Sequence, residues 1–381
     1  MKVLLCTPYN IGPKLVYGGL VVWARYIIDY YNTTSKKINV QVVSFDRKVS
    51  SITMTTKLSI KRVWQGFSDY IKPIKETRRQ LNKEQYDVLH LCTSASIGLL
   101  KDILILRMAK RKSVKTVIHF HFGRIPELAQ QRNWEWKFLQ KVMRLADTAI
   151  TMDMKSCTAL KGCGYGNVCF LPNPISQGIM RQIEIDAATT VREERKLCFV
   201  GHVIPTKGVY ELVEACKDIK NVRLHVLGKA SLEVQEKMRE LADDGVWLVF
   251  EGEVAHQQVI RELLTTDIFV LPTYTEGFPN VILESMACGC AIATTPVGAI
   301  PEMLDIESDE PCGLCCEPKD VEGLRRNIQY FLDHPDEARK YGERAMERVN
   351  DMYAIPIIWE RLVRIWKDCS EKAIKQEGPL C

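Results

Sequence analysis

The 381-residue chain is 46% hydrophobic and 26% charged, with a formal net charge of +5. At roughly 150 residues per domain, this length predicts two or three domains, and no apolar run reaches the ~18–20 residues of a membrane-spanning helix. Residues 1–180 carry 28 Lys and Arg against 11 Asp and Glu, a balance of +17, while the remaining 201 carry 24 against 36, a balance of −12; this asymmetry predicts two domains with different partners.

The opening "MKVLLCTPY" is too short for a signal-peptide core and predicts a strand that starts a domain. Fourteen Cys without a secretion signal fit a reducing cytosol, where free Cys acts as a small hydrophobe. Apolar, β-branched runs then alternate with helical stretches. "INVQVVSF", "DVLHLC", "KTVIHFHF", "TAITM" and "VCFLPN" predict buried strands. Between them, "GGLVVWARYIIDYYN", "SDYIKPIKETRRQLNKEQY" and "WEWKFLQKVMRLA" predict helices, the second started or kinked by the Pro in "IKPIK". A polar stretch at 176–196 reads as an interdomain connection. A second series follows in "LCFVGHV", "VRLHVLG", "WLVFEGEV", "DIFVLPT", "AIATTPVG" and "PCGLCCEP", before an amphipathic tail helix, "WERLVRIWKDCSEKAIKQ". The pattern predicts an α/β chain of two Rossmann-like, doubly wound parallel-sheet domains, 1–175 and 176–355, with 356–381 packing back across them. Ligands of open α/β sheets bind at the carboxyl ends of strands, so a cleft between the two domains is the expected site.

The unusual residues lie in strand-to-helix loops. Gly18-Gly19 allow close backbone approach to a ligand, or make a simple turn. "KTVIHFHFGRIPE" ends a strand in His119 and His121, which point the same way in an extended segment. No third ligand is evident nearby, so a metal pair is not expected there. In "FVGHVIPTKG", Lys207 and Gly208 precede a helix, a place that can hold a diphosphate or simply carry a surface Lys. "TEGFPNVILESMACG", 275–289, places Glu276 in a loop and Glu284 inside an apolar helix, where a carboxylate is costly unless something pairs with it. Glu284 can accept hydrogen bonds from a ribose diol or stand in a structural salt bridge. Asn280 can cap that helix and aim its free N–H groups at phosphate. Cys288, Cys290, Cys312, Cys315 and Cys316 have zinc-like spacings, but strand and helix patterns separate them and predict buried packing.

With the "LPNP" strand exit, "FVGHVIPTKG", "VFEGEV", "EGFPNVILE" with its E-x7-E spacing and "MACGCAIATTPVGAIPEML", the chain resembles the retaining, nucleotide-sugar-dependent glycosyltransferases of family 4, which have the GT-B fold. The resemblance covers nearly the whole chain in order. It implies that Glu284 holds the donor's ribose hydroxyls, and that Glu276 and the backbone around Gly277, Phe278, Pro279 and Asn280 hold the donor sugar and distal phosphate. Lys207 would bind the diphosphate, with Gly18-Gly19 approaching it from the other domain. Val254 would lie by the nucleobase, and His121 would face the sugar near the reacting centre. The family has Arg where this chain has His202, which lacks a bidentate fork and is mostly neutral at pH 7. That departure implies weaker diphosphate binding or help from another cation.

The implied activity is a hexosyltransferase of polysaccharide biosynthesis, moving a sugar with retention from a nucleoside diphosphate sugar to a glycan or lipid-linked acceptor. No cofactor, metal or nucleic acid is expected. The expected location is the cytoplasm, with the basic first domain resting peripherally on the inner face of an anionic membrane. A GT-B nucleotide-sugar 2-epimerase is an alternative, but it needs acid/base carboxylates that the sequence does not place. A non-catalytic sugar-nucleotide scaffold is another, disfavoured by the near-complete donor set.

Overall fold

The computed structural model describes residues 1–9, 18–34, 38–45, 60–243 and 245–371, the side chains of 60–70 excepted. It divides into two units, Met1–Pro172 with Ile358–Cys381, and Asn173–Ile357.

The first unit holds six parallel strands, β1 Lys2–Thr7, β2 Asn39–Ser44, β3 Val88–Thr93, β4 Lys115–Phe120, β5 Thr148–Thr151 and β6 Val168–Phe170, in the order β2-β1-β3-β4-β5-β6. The apolar runs of β1 and β3 are buried along their length, as strands covered on both faces must be. Chain order reverses between β1 and β3, which is the topological switch point of this sheet. Helix Ile60–Lys83 runs through Pro73 rather than starting at it. Asn133 caps helix Trp134–Leu145 by accepting from the backbone of Glu135 and Trp136, and Asp153 does the same for Ser156 in the next.

The tail helix is Ile355–Glu371. From Ile358 onward it groups with the first unit. Its apolar stripe, Ile358, Leu362, Trp366 and Cys369, is fully buried. Trp366 Nε1 donates to His90 Nδ1 at 2.9 Å, and Arg361 Nη2 to the Phe170 carbonyl at 3.1 Å.

The second unit holds β7 Lys196–Val200, β8 Arg223–Leu227, β9 Leu248–Gly252, β10 Ile268–Leu271, β11 Ala291–Thr294 and β12 Leu314–Cys315, all parallel, in the order β12-β11-β10-β7-β8-β9. Its switch point lies between β7 and β10. "PCGLCCEP" contributes only the two-residue β12. Residues 176–196 are not a plain connection. Ser176 caps helix Gln177–Ala187 by accepting from Ile179 N at 3.2 Å, and Ile179 and Ile183, one turn apart, are buried. Each unit is thus an open, doubly wound parallel α/β sheet, as expected. No helix among the described residues is long and apolar enough to cross a membrane.

Candidate active site

In the second unit, the loops leaving β7 and β10 meet at the switch point. After β7 the chain makes a tight turn, Pro205–Lys207, and enters helix Val209–Cys216 through Gly208 in the left-handed region, φ 70°. A Cβ on Gly208 would stand 2.0 Å from the Pro272 carbonyl oxygen, so glycine is required by both conformation and contact. Tyr274 N donates to the Thr206 carbonyl at 3.0 Å, tying the two loops together. Lys207 Nζ donates to Glu276 Oε1, with both side chains mostly buried. The loop after β11 closes on the same segment. Gly298, φ 59°, brings its backbone so near that a Cβ would lie 2.4 Å from the Glu276 carbonyl oxygen, and Ala299 N donates to the Gly277 carbonyl at 2.9 Å.

Helix Asn280–Ala287 starts directly after this loop. Pro279 takes the capping position in extended conformation, and Asn280 is the first helical residue. The side-chain cap expected from Asn280 is therefore not made, and its Oδ1 is buried without a partner. The first amides of the helix have no carbonyl within it to bond, and the positive end of its dipole faces the loop. Phe278 is buried with its ring edge-on to Tyr353, which anchors the turn.

Glu284 lies one turn into the helix and is buried. Its Oε1 stands 2.9 Å from His256 Nε2, on helix His256–Thr265, which follows β9. This hydrogen bond outweighs burial and raises the His256 pKa above its usual 6.5. His256 was not singled out from the sequence, yet it is the group that Glu284 holds here. Val254, half-buried, lies two residues before it. His202 is exposed just after β7.

In the first unit, Gly18 caps helix Gly19–Thr33 in ordinary extended conformation, accepting from Val21 N at 2.9 Å. Among the described residues, nothing lies within 4 Å of the position of a Cβ on either Gly18 or Gly19. His121 follows β4 and its ring nitrogens are buried without partners. Its ring centroid is 4.0 Å from that of His119 and 4.8 Å from that of Trp23. His119 lies edge-on to both Trp23 and His90, and Trp366 holds His90 from behind. Burial lowers the pKa of all three imidazoles, that of His90 to about 3 and those of His119 and His121 well below the usual value.

The sequence showed no third ligand near His119, but the sheet supplies two. Register pairs Cys92 with His119, and His90 lies two residues earlier on the same face, so one ligand atom from each falls within 4.8 Å of the others. The donor set nonetheless fits a metal poorly. His90 Nδ1 accepts the Trp366 N–H, which leaves the proton of a neutral ring on Nε2, and burial pushes the Cys92 thiol far up. This is the one such group among the described residues, so the other cysteines do not gather into a zinc site. Cys288 and Cys290 are buried, their thiols raised by burial, and Cys290 Sγ bonds the Leu263 carbonyl at 3.2 Å.

Residues 181–348 match the family model described as Glycosyl transferases group 1. The chain is 29% identical over 173 residues to the capsular polysaccharide biosynthesis glycosyltransferase CapM of Staphylococcus aureus, covering 43% of each chain. It spans about half the length of the curated relatives it matches. Its fold superposes on sucrose-phosphate synthase from Thermosynechococcus elongatus with a TM-score of 0.72 at 17% identity, covering 96% of this chain and 98% of that one. It superposes on Anabaena HepE in complex with UDP with a TM-score of 0.67 at 14% identity, covering 96% and 99%. At such identities these two likenesses speak for the fold alone.

Proposed function

We propose that this chain is a GT-B glycosyltransferase of family 4 that transfers a hexose from a nucleoside diphosphate sugar to a glycan or lipid-linked acceptor, with retention. The observation that carries the reading is the convergence at one switch point of Lys207, Glu276, the start of helix Asn280–Ala287 and Glu284 one turn on. A cation and a helix N-terminus suit a diphosphate, and a buried carboxylate with a free second oxygen suits a diol. UDP in the HepE complex supports a nucleotide ligand, and the CapM name supports a place in polysaccharide biosynthesis.

In this reading Lys207 leaves Glu276 for the diphosphate, and Glu276 turns to the sugar hydroxyls. Glu284 keeps His256 on one oxygen and takes the ribose on the other. Val254 flanks the base. His121, neutral in its buried site, faces the sugar, and Gly18-Gly19 leave room for phosphate. As the glycosidic bond to the diphosphate breaks, charge grows on the leaving phosphates, where preorganised donors stabilise it. The acceptor oxygen attacks the same face of the sugar and gives its proton to a donor phosphate oxygen. The reading calls for no metal or cofactor.

Calorimetry with UDP, GDP and their sugars tests the donor site, and NMR of the product's anomeric proton tests retention. An inverted product would overturn the mechanism. Release of a 2-epimer without acceptor would replace the transferase reading by an isomerase.

A further inference from the structure

Two neighbouring helices of the first unit, Ile60–Lys83 and Gly98–Arg111, together carry 11 Lys and Arg against 3 Asp and Glu. Along helix Gly98–Arg111, Ile97, Leu100, Leu104, Met108 and Arg111 recur every three or four residues and form one stripe. Its three leading apolar residues are exposed, by 59%, 46% and 47%. Along helix Ile60–Lys83, Ile71, Lys75, Arg78 and Asn82 form a second stripe at the same spacing, all exposed. The stripes meet at a cavity of about 280 Å³ lined by Arg78, Leu81, Asn82, Met108, Arg111 and Lys112.

Arg78, Arg111 and Lys112 have no carboxylate partner among the described residues. The nearby acids are taken, Glu76 by Arg79 at 2.7 Å and Glu84 by Lys2. Arg111 and Lys112 also end a helix and so complement its dipole, but Arg78 lies more than a turn before the end of its own. Three unopposed cations around one concavity repel each other and favour an anion between them. The exposed leucines beside them have no use on a soluble anion or a nucleic-acid backbone. They suit the boundary between headgroups and acyl chains. At the N-terminal end of the stripe, Ser96 N donates to Glu135 Oε1 at 2.6 Å, tying in helix Trp134–Leu145, whose first residue is half exposed.

We propose that this face docks on an anionic membrane, with a lipid phosphate seated between Arg78, Arg111 and Lys112 and with Ile97, Leu100 and Leu104 dipping below the headgroups. None of these residues is among the donor residues named above, so the test stands apart from the activity proposed there.

The test is co-sedimentation of the full chain with vesicles of phosphatidylcholine alone and of phosphatidylcholine with phosphatidylglycerol. Binding is expected to the second only, and to weaken as salt rises. Replacing Arg78, Arg111 and Lys112 together by Gln should weaken it about fivefold per cation, on the order of a hundredfold in all. A Leu100→Gln/Leu104→Gln variant should lose the salt-resistant part. All five side chains are exposed or line the cavity mouth, so unchanged thermal unfolding and nucleotide affinity are expected and show that the fold and the donor site are intact. Equal binding to both vesicles, binding to neither, or wild-type binding by the triple variant would overturn the proposal. So would retention of duplex DNA or inorganic phosphate by a protein that ignores vesicles.

Discussion

Glu284→Gln separates the two roles open to that carboxylate. If it only forms an ion pair with His256, the pair is a modest one, because the His256 side chain is 44% exposed. Such pairs contribute roughly 0.2–1 kcal/mol, so any indirect effect on nucleotide affinity stays below about fivefold. If it accepts from a ribose diol in a buried site, the charged hydrogen bond contributes about 1.5–3 kcal/mol, and affinity falls about 10- to 150-fold. The assay is calorimetric titration with a nucleoside diphosphate on the wild type, Glu284→Gln, His256→Asn and the double variant. A ribose role predicts that His256→Asn costs little while Glu284→Gln costs at least tenfold with or without His256. The ion pair itself shows in stability. The His256 pKa is raised by Glu284, so its contribution is fully present below about pH 6.5 and disappears as pH rises through the folded-state value. Glu284→Gln should therefore lower the melting temperature more at pH 6 than at pH 9. A folded Glu284→Gln protein with wild-type nucleotide affinity refutes the ribose assignment.

Glu276→Gln should lower turnover while leaving nucleotide affinity within a few-fold, and Lys207→Met should weaken a nucleoside diphosphate about tenfold or more but not a nucleoside; steady-state kinetics and calorimetry check both. Gly298→Ala puts a methyl group against the Glu276 backbone and holds Ala at positive φ, a penalty of at least about 1 kcal/mol; chemical unfolding and turnover should both suffer, and wild-type values for both would refute the packing argument. His121→Ala should remove activity with nucleotide binding retained, and activity lost in EDTA but regained with a divalent ion would instead favour a metal at His90, Cys92 and His119. The three buried imidazoles stay neutral while their unfolded counterparts take up protons below about pH 6.5, so stability should fall by about 1.4 kcal/mol per pH unit for each one; His90→Gln should make the acid limb of an unfolding-versus-pH curve shallower.

The alternation of buried strands and helices was legible because both sheets are parallel and covered, which writes continuous apolar runs into the sequence. The segment with Glu276 and Glu284 was legible for a local reason, since loop, helix start and both acids fall within fifteen residues. His256 was not, because "EVAHQQ" has no local peculiarity and its partner arrives only when helix His256–Thr265 lies beside helix Asn280–Ala287. The grouping of His90 and Cys92 with His119 depends on the register of β3 against β4, which no spacing along the chain expresses. Residues 176–196 misled through composition. The Ser176 cap and the Ile179–Ile183 spacing were the better signal, outweighed by the charged residues of the exposed face. Asn280 failed as a cap because capping preference describes a residue type, whereas position decides, and Pro279 already occupies that place.

Residues 181–381 carry 24 basic and 36 acidic residues, so the half proposed to bind an anion is itself negative. Its long-range field opposes a diphosphate, and attraction must come from groups in contact, namely Lys207 and the first amides of helix Asn280–Ala287. Salt screens the distant repulsion beyond ~8–10 Å but screens short, partly buried contacts much less. Nucleotide affinity should therefore change little as salt rises from low to physiological levels, or even increase. The cationic face around Arg78, Arg111 and Lys112 obeys the opposite rule, because its attraction to a charged surface is itself long-range. Titrating salt against nucleotide affinity and vesicle binding in one preparation thus distinguishes two sites on one chain. A parallel, steep loss of both would mean that the nucleotide, too, is held by diffuse positive charge, and that Lys207 and the helix start do not form its site.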